Sequence, residues 1–197
     1  MKKIALIGSL LMPAMPAAVY GCDLTSETFF AQADVEEAIR CIKRDKNVNG
    51  RNLLGMTPLH IAVNSPPKVI AALINAGAKV NSRTPQGFTP LNWAARHNAR
   101  AAIAVLLAAG AKVNSRDEVG LTPLHWLIFA NAEPETLETL IDAGADLNSR
   151  NHEGFTPLHL AYINNSDPDT IEILIEAGAN VVAADKSGRI PIDYLRK

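Results

Sequence analysis

A six-residue segment, Gly-x-Thr-Pro-Leu-(His/Asn), recurs at a fixed period and constrains the fold more than any other feature of this 197-residue chain. Its four full copies begin at Gly55, Gly87, Gly120 and Gly154, and a degraded copy begins at Gly188. Neighbouring copies therefore stand 32, 33, 34 and 34 residues apart. A period of about 33 residues is typical of solenoids, whose stacked units share one core and number at least three. We therefore expect an elongated stack of repeats.

A second segment recurs in phase with the first. Ala76 to Arg83 reads AGAKVNSR, and it returns at 109–116, at 143–150 and imperfectly at 177–184. Together the two segments resemble the ankyrin repeat family, in which T-P-L-H opens a first helix and G-A-x-V-N follows a Leu-rich second helix. The resemblance covers about residues 26–197. It implies an all-α repeat solenoid of stacked helix-turn-helix units with hairpin-like loops between them.

The same segments predict where the helices of each unit begin and end. A Thr-Pro pair suits a helix start, because the threonine hydroxyl accepts from a free backbone N–H and a proline at the first helical position loses no bond. Gly77 and its equivalents are predicted to end the second helices in the left-handed conformation. The loop between the two helices lacks the family's usual Gly-His pair and is predicted to carry prolines instead: Pro66-Pro67, Pro134 and Pro168. Asp167 before Pro168 is predicted to be a further cap–proline helix start.

Three segments are expected along the chain. Residues 1–21 resemble a secretory signal peptide, with Lys2 and Lys3, a short apolar run and small residues before the cut after Gly21. The apolar run is shorter than the roughly 20 residues that a membrane-spanning helix needs. Residues 22–52 are predicted to form an N-terminal capping unit, continuous with about four repeats and a truncated C-terminal cap over 53–197. The mature protein is therefore expected to be periplasmic or secreted.

The only two cysteines, Cys22 and Cys41, both fall in the capping unit. An even count in an oxidising compartment favours a disulfide, and closing this loop would stabilise the fold by about 3 kcal/mol. An alternative is that Val19-Tyr20-Gly21-Cys22 resembles a lipoprotein processing site, in which Cys22 would carry lipid and anchor the protein to a membrane. Two free or otherwise used thiols are a third possibility.

The sequence gives no pattern of a catalytic, metal or cofactor site. His60, His125 and His159 share the T-P-L-H position, but equivalent residues of packed helices lie about 8–10 Å apart, whereas zinc needs ligands about 2 Å from one centre. We expect these histidines to form hydrogen bonds between neighbouring turns. Trp93 and Trp126 are interpreted as partly buried helix residues. The formal net charge of −1 lacks the positive excess of nucleic-acid-binding proteins.

Ankyrin-like stacks bind proteins on their concave side, so the resemblance implies a non-catalytic protein-binding module. That side is formed by the loop tips and the exposed edges of the first helices. Matching the motif onto this chain gives the predicted partner-binding residues: Arg51, Arg83, Gln86, Phe88, Arg96, Arg116, Glu118, Leu121, Phe129, Arg150, His152 and Phe155.

Two rows stand out among these positions. Arg51, Arg83, Arg116 and Arg150 share one phase, whereas Met56, Phe88, Leu121 and Phe155 share another. Arginine and aromatic residues are enriched in binding hot spots, so the rows together are suited to an acidic segment with an apolar anchor. On this hypothesis, reversing the charges of two of these arginines weakens binding and leaves melting unchanged. The alternatives are local ion pairs for the arginines and packing under the loops for the apolar row.

The leading hypothesis is a monomeric protein of the bacterial envelope that binds an unidentified partner protein. The alternative is a secreted effector or immunity factor that acts on a protein of a host or competitor.

Overall fold

Helices follow one another in pairs along the chain, as the repeat predicts. The computed structural model describes residues 22–45, 47–164 and 166–195, so the predicted signal peptide and residues 196–197 of the predicted C-terminal cap lie outside the described residues. Within them the backbone forms helices and turns and no strand. The α-helices, in chain order, are α1 Glu27–Gln32, α2 Val35–Arg44, α3 Pro58–Ile61, α4 Pro67–Asn75, α5 Pro90–Arg96, α6 Arg100–Ala108, α7 Pro123–Phe129, α8 Pro134–Asp142, α9 Pro157–Ile163 and α10 Pro168–Glu176.

The helices form two layers that run along the stack. The first helices of the units, α3, α5, α7 and α9, contact one another in order, and a 3-10 turn at Pro191–Tyr194 follows α9. Behind them α2, α4, α6, α8 and α10 form the second layer in the same way. The core between the layers is built from equivalent leucines that are fully buried: Leu59, Leu73, Leu91, Leu106, Leu124, Leu140, Leu158 and Leu174. These contacts confirm the all-α repeat solenoid.

Threonine and proline begin the first helices as predicted. Thr57, Thr89, Thr122 and Thr156 occupy the N-cap positions, and the next residue of each is the first proline of the helix. Asp167 caps and Pro168 begins α10, as predicted, whereas Pro67 and Pro134, predicted to lie in the loops between the helices, instead open α4 and α8. The reason is the same in both layers, because proline at the first turn gives up no hydrogen bond.

Left-handed residues close the turns of each unit. Gly77, Gly110 and Gly144 end second helices with φ of 94°, 83° and 85°, as predicted. In the loops without the Gly-His pair, Asn98 and Asn131 take φ of 51° and 47°. Asparagine is among the few residues with a side chain that adopt this conformation readily, so these loops keep the turn without glycine.

The loop tips are hairpin-like and are joined to one another. Each tip is closed by backbone bonds across five residues, such as that from the N–H of Asp117 to the carbonyl of Leu121. Neighbouring tips are linked by bonds of about 3 Å, for example from Glu118 N–H to Gln86 O (3.1 Å). At the first junction the donor's place is taken by Pro85, which has no N–H.

The N-terminal unit is tied together by a disulfide. Cys22, at the start of the described chain, is bonded to Cys41 on α2. Asp34 caps α2 by accepting from the N–H of Glu37 at 2.8 Å. Helix α2 packs on α4, so this unit stands at the N-terminal end of the stack. In the described part of the chain, every helix is too short or too polar to cross a membrane.

Candidate partner-binding surface

The predicted arginine row joins one loop tip to the next. The guanidinium of Arg51 donates to the carbonyl of Arg83 at 2.8 Å, that of Arg83 to Arg116 at 2.6 Å, and that of Arg116 to Arg150 at 2.6 Å. Arg150 donates likewise to Ala184. All four side chains are exposed, but each one is held by the backbone of the following unit. The row therefore contributes directly to the stacking of the units.

The alternative of local ion pairs for these arginines is wrong. Among the described residues the only salt bridge is that between Arg189 and Asp185. The arginines instead satisfy carbonyl groups that would otherwise face solvent at the tips. A charged donor to a neutral carbonyl makes a stronger hydrogen bond than a neutral donor does.

A row of asparagines has the same role and was missed in the sequence. Asn81 donates from Nδ2 to the carbonyl of Gly110 at 3.1 Å and accepts at Oδ1 from the N–H of Lys112 at 2.8 Å. Asn49 and Asn114 repeat this pair of bonds with the next unit. The signal was present, because the second recurring segment carries an asparagine at this position in its first three copies: Asn81, Asn114 and Asn148. A side-chain amide can bond a backbone N–H and C=O together, which explains the choice of residue.

The buried histidines also bond between units, as predicted. Nδ1 of His60 accepts from the N–H of Thr57 at 3.2 Å, so its Nε2 carries the proton and donates to the carbonyl of Phe88 at 3.1 Å. His125 makes the equivalent bonds. Burial lowers the pKa of His60 and of His125 to about 4, well below 6.5. Within the described residues no group of His, Cys, Asp and Glu is placed to hold a metal ion.

The apolar row divides into two buried and two half-buried residues. Met56 and Leu121 are 3% and 6% exposed, so the prediction that Leu121 contacts a partner is wrong, since its side chain belongs to the buried core. Phe155 is half-buried and packs edge-on against Tyr194, with ring centroids 5.6 Å apart. Phe88 is also half-buried and faces the first helices.

Four aromatic residues meet on the first helices of the second and third full units. Phe88 lies 5.6 Å from Trp93 and 5.0 Å from Trp126, and Trp126 lies 5.7 Å from Phe129, measured between ring centroids. The two tryptophans are half-buried, and Phe129 is 42% exposed. We call this cluster the aromatic platform. A hydrogen bond of 2.9 Å from Nε1 of Trp126 to Asp117 fixes one of its rings.

Arg96 stands on the aromatic platform. Its guanidinium carbon lies 5.9 Å from the ring centroid of Phe88, 5.5 Å from that of Trp93 and 5.1 Å from that of Trp126. Such distances allow cation–π attraction to each ring. The side chain is exposed, and it makes no ion pair with any described residue. The arginine row also lacks ion pairs, but its guanidinium groups bond backbone carbonyls, whereas that of Arg96 lies over aromatic rings and is exposed.

A groove adjoins the platform on the other side of Trp93. It has a volume of about 410 Å³ and lies between α1, the turn after α3, and α5. Phe30, Ile61 and Trp93 form apolar parts of its wall, whereas Asn64 and His97 add polar groups. The ring of His97 lies 4.9 Å from that of Trp93, so groove and platform share one tryptophan.

A larger groove lies away from every predicted site residue. It has a volume of about 800 Å³ and is lined by Tyr162, Ile171, Ile175 and Leu195 at the last described turns. It lies where α10 has no described successor, and size alone gives it no chemical character.

The remaining predicted residues lie at the tips. Gln86, Glu118 and His152 are exposed there, and their backbones take part in the bonds between tips. The structure thus brings together Phe88, Arg96 and Phe129 of the predicted set and keeps the tip residues as a separate row.

Two segments of the chain match a family model. The model, described as ankyrin repeats in three copies, covers residues 28–117 and 114–185. The two matches together span most of the chain, including all the helices that carry the platform and the groove. No curated protein matches the chain.

Proposed function

Because this chain belongs to the ankyrin repeat family, whose repeats are generally protein–protein interaction modules, we propose that it binds a partner protein through its concave face. That face comprises the loop tips and the exposed side of the first helices. The partner remains to be identified.

The aromatic platform with Arg96 is the observation that carries this proposal. Aromatic and arginine side chains dominate the binding energy of protein interfaces, and they do so when they cluster and can be desolvated together. Phe88, Trp93, Trp126 and Phe129 form such a cluster around an exposed guanidinium. Phe88 and the two tryptophans are half-buried, Phe129 is exposed, and all four are held by neighbouring rings, so binding would order few new rotamers.

We propose that the protein has no catalytic activity. His60, His125 and His159 are the residues best suited to proton transfer, and all three already use both ring nitrogens in bonds of the stack. Their burial holds them neutral and shields them from a substrate.

We also propose that the protein is exported to the bacterial envelope and functions there as a monomer. The signal-like residues 1–21 support this, and so does the disulfide, because disulfides persist in oxidising compartments. A lipid at Cys22 would need the same sulfur atom that bonds Cys41, so the disulfide favours the form without an anchor.

Site-specific photo-crosslinking in living cells tests the proposed face. A photoreactive phenylalanine analogue is placed at Gln86 or Phe129 on the concave face, and at Glu138 on α8 as a matched control on the second layer; all three positions are exposed. We expect one protein to be crosslinked from the first two positions and not from the third. Equal crosslinking from Glu138, or crosslinking from Glu138 alone, would contradict the proposed face. Fractionation of the periplasm and the medium separates an envelope partner from a secreted target.

A further inference from the structure

Arg96 and the neighbouring groove define a site with a specific ligand chemistry. We propose that they bind an extended segment of the partner in which an aliphatic or aromatic side chain lies next to a carboxylate. The apolar side chain enters the groove beside Trp93, and the carboxylate accepts hydrogen bonds from the guanidinium of Arg96. This inference rests on the proposed function and specifies the partner segment that the concave face recognises.

The cation is prepared for a carboxylate. The ring faces of Phe88, Trp93 and Trp126 fix the position of the Arg96 guanidinium, with Trp126 nearest at 5.1 Å. A guanidinium presents parallel N–H groups that match the two oxygens of a carboxylate, and stacking on rings leaves those edges available. Because no described carboxylate pairs with it, the ionic partner must come from the ligand.

The groove is suited to one large apolar side chain. Its volume of about 410 Å³ is enclosed by Phe30, Ile61 and Trp93, and Phe30 comes from α1 of the disulfide-bonded unit. Burial of a Leu or Phe side chain in such a place removes apolar surface from water and therefore favours binding. Trp93 lines the groove and also supports Arg96, so the two ligand groups must lie close together in sequence.

Charge fixes the direction of the segment. Glu27 is the one carboxylate among the residues that line the groove, and it lies on the α1 side. An acidic ligand residue is repelled there and attracted at Arg96 on α5. The segment is therefore expected to run with its acidic residue over α5 and its apolar residue towards α1.

A displayed library of random heptapeptides, selected on the oxidised chain without residues 1–21, tests the inference. Wild type is expected to enrich peptides with Asp or Glu within two positions of a large apolar residue. Arg96→Met keeps an unbranched side chain over the rings and removes the charge; it should lose the acidic preference and bind a selected peptide at least about 10-fold more weakly. Lys68→Met, on exposed α4, is the matched control and should bind as wild type does.

A second variant tests the groove independently. Asn64 is exposed on the groove wall, so Asn64→Trp fills the groove without entering the core. It should lose the preference for a large apolar residue and keep the preference for an acid. Melting curves of each variant confirm folding.

The inference is overturned if wild type enriches no acidic–apolar pair, if it enriches no peptide at all, or if Arg96→Met selects the same acidic peptides. Crosslinking from Gln86 and Phe129 together with such a result would reject the acidic–apolar site alone. Crosslinking from Glu138 in place of these positions would reject the proposed function itself.

Discussion

Two kinds of arginine in this molecule differ in what their side chains contact. Arg51, Arg83, Arg116 and Arg150 recur in every unit, and each guanidinium bonds a carbonyl of the next unit. Arg96 occurs once and stands on three aromatic rings without an ion pair among the described residues. The recurring arginines hold neighbouring units together, whereas Arg96 is the one that we propose contacts the partner.

The same distinction extends to other residues. The asparagines and histidines that recur in phase bond one unit to the next, because every junction presents the same carbonyls and N–H groups. The aromatic platform is confined to two units and repeats nowhere else in the described chain. In a repeat protein, therefore, residues that break the period are the better candidates for partner recognition.

Acidification should produce the largest loss of stability, and it acts on recurring residues. In the folded protein the pKa of His60 and His125 is about 4, against 6.5 in an unfolded chain. Between these two pH values the unfolded chain binds more protons than the folded protein does. The free energy of unfolding therefore decreases by about 1.4 kcal/mol for each pH unit by which the pH is lowered, for each histidine. Full stability is present above pH 6.5, and urea unfolding at pH 7.0 to 4.5 measures the slope.

A histidine variant separates this effect from carboxylate titration. Asn92 occupies the histidine position in its own unit and bonds Ser115 instead, so His125→Asn is a substitution that this chain already accommodates. The slope between pH 6.5 and 4.5 should decrease by the contribution of one histidine. An unchanged slope would show that the buried histidines do not control the pH dependence.

Reduction of the disulfide should have the next largest effect. The Cys22–Cys41 bond occurs once, yet it serves the stack, so it marks a limit of the comparison between recurring and singular residues. Its loss should lower stability by about 3 kcal/mol. Melting with and without reductant measures the effect, and the double variant Cys22→Ser/Cys41→Ser should be insensitive to reductant. Intact mass of the exported protein should show the loss of two hydrogens; an acyl addition would instead establish the lipoprotein.

Removal of one asparagine bridge should cost less. Asn114→Ala loses two bonds, to the carbonyl of Gly144 and the N–H of Asp146, and should destabilise by about 2 kcal/mol at about 1 kcal/mol per bond. Asn180 accepts within its own loop from Val182, so Asn180→Ala is the matched control with the smaller expected effect. Equal effects of the two variants would contradict the conclusion that the asparagine row stabilises the stacking of the units.

Substitution of the arginines should have the smallest effect on stability, and it compares the two kinds of arginine directly. Arg116→Met loses its bonds to Gly120 and Arg150 and should destabilise by about 1 kcal/mol, since the site is exposed. Arg96→Met should leave the melting temperature nearly unchanged. The loss of stability expected for Arg116→Met differs from the hypothesis drawn from the sequence, in which charge changes in the arginine row leave melting unchanged. Equal melting of the two variants would contradict the distinction between the two kinds of arginine.

The sequence could predict the stack, because the Thr-Pro starts, glycine ends and buried leucines are local and periodic signals. It could also predict the bonds of the histidines from their place in the motif. It could not predict the role of the arginine row, because phase places those residues side by side but does not say whether a guanidinium turns to a partner or to the backbone.

The position of a residue within the repeat also does not predict how deeply its side chain is buried. Leu121 and Phe88 hold equivalent positions, yet the leucine is buried in the core, whereas the half-buried ring of Phe88 packs against Trp126 of the next unit. Trp93 and Trp126 stand 33 residues apart, and Arg96 follows Trp93 by one helical turn. This spacing was the signal in the sequence for the aromatic platform. The contact of Phe88 with Trp126 could not be predicted from it, because that contact depends on how two neighbouring units pack.

Pro85 leaves the junction between the first two loop tips with one backbone hydrogen bond fewer than the later junctions have. Later tips are linked to their neighbours by a backbone bond and by an arginine side chain, but Pro85 has no N–H to donate to the preceding tip, so of the residues that the structure describes only Arg51 links these two tips, through its side chain. A small rotation of the first unit against the second is therefore less costly there than elsewhere. Ile61 and Trp93 lie on opposite sides of this seam, so such a rotation adjusts the width of the cleft between them. We therefore expect this cleft to adapt to side chains of different size.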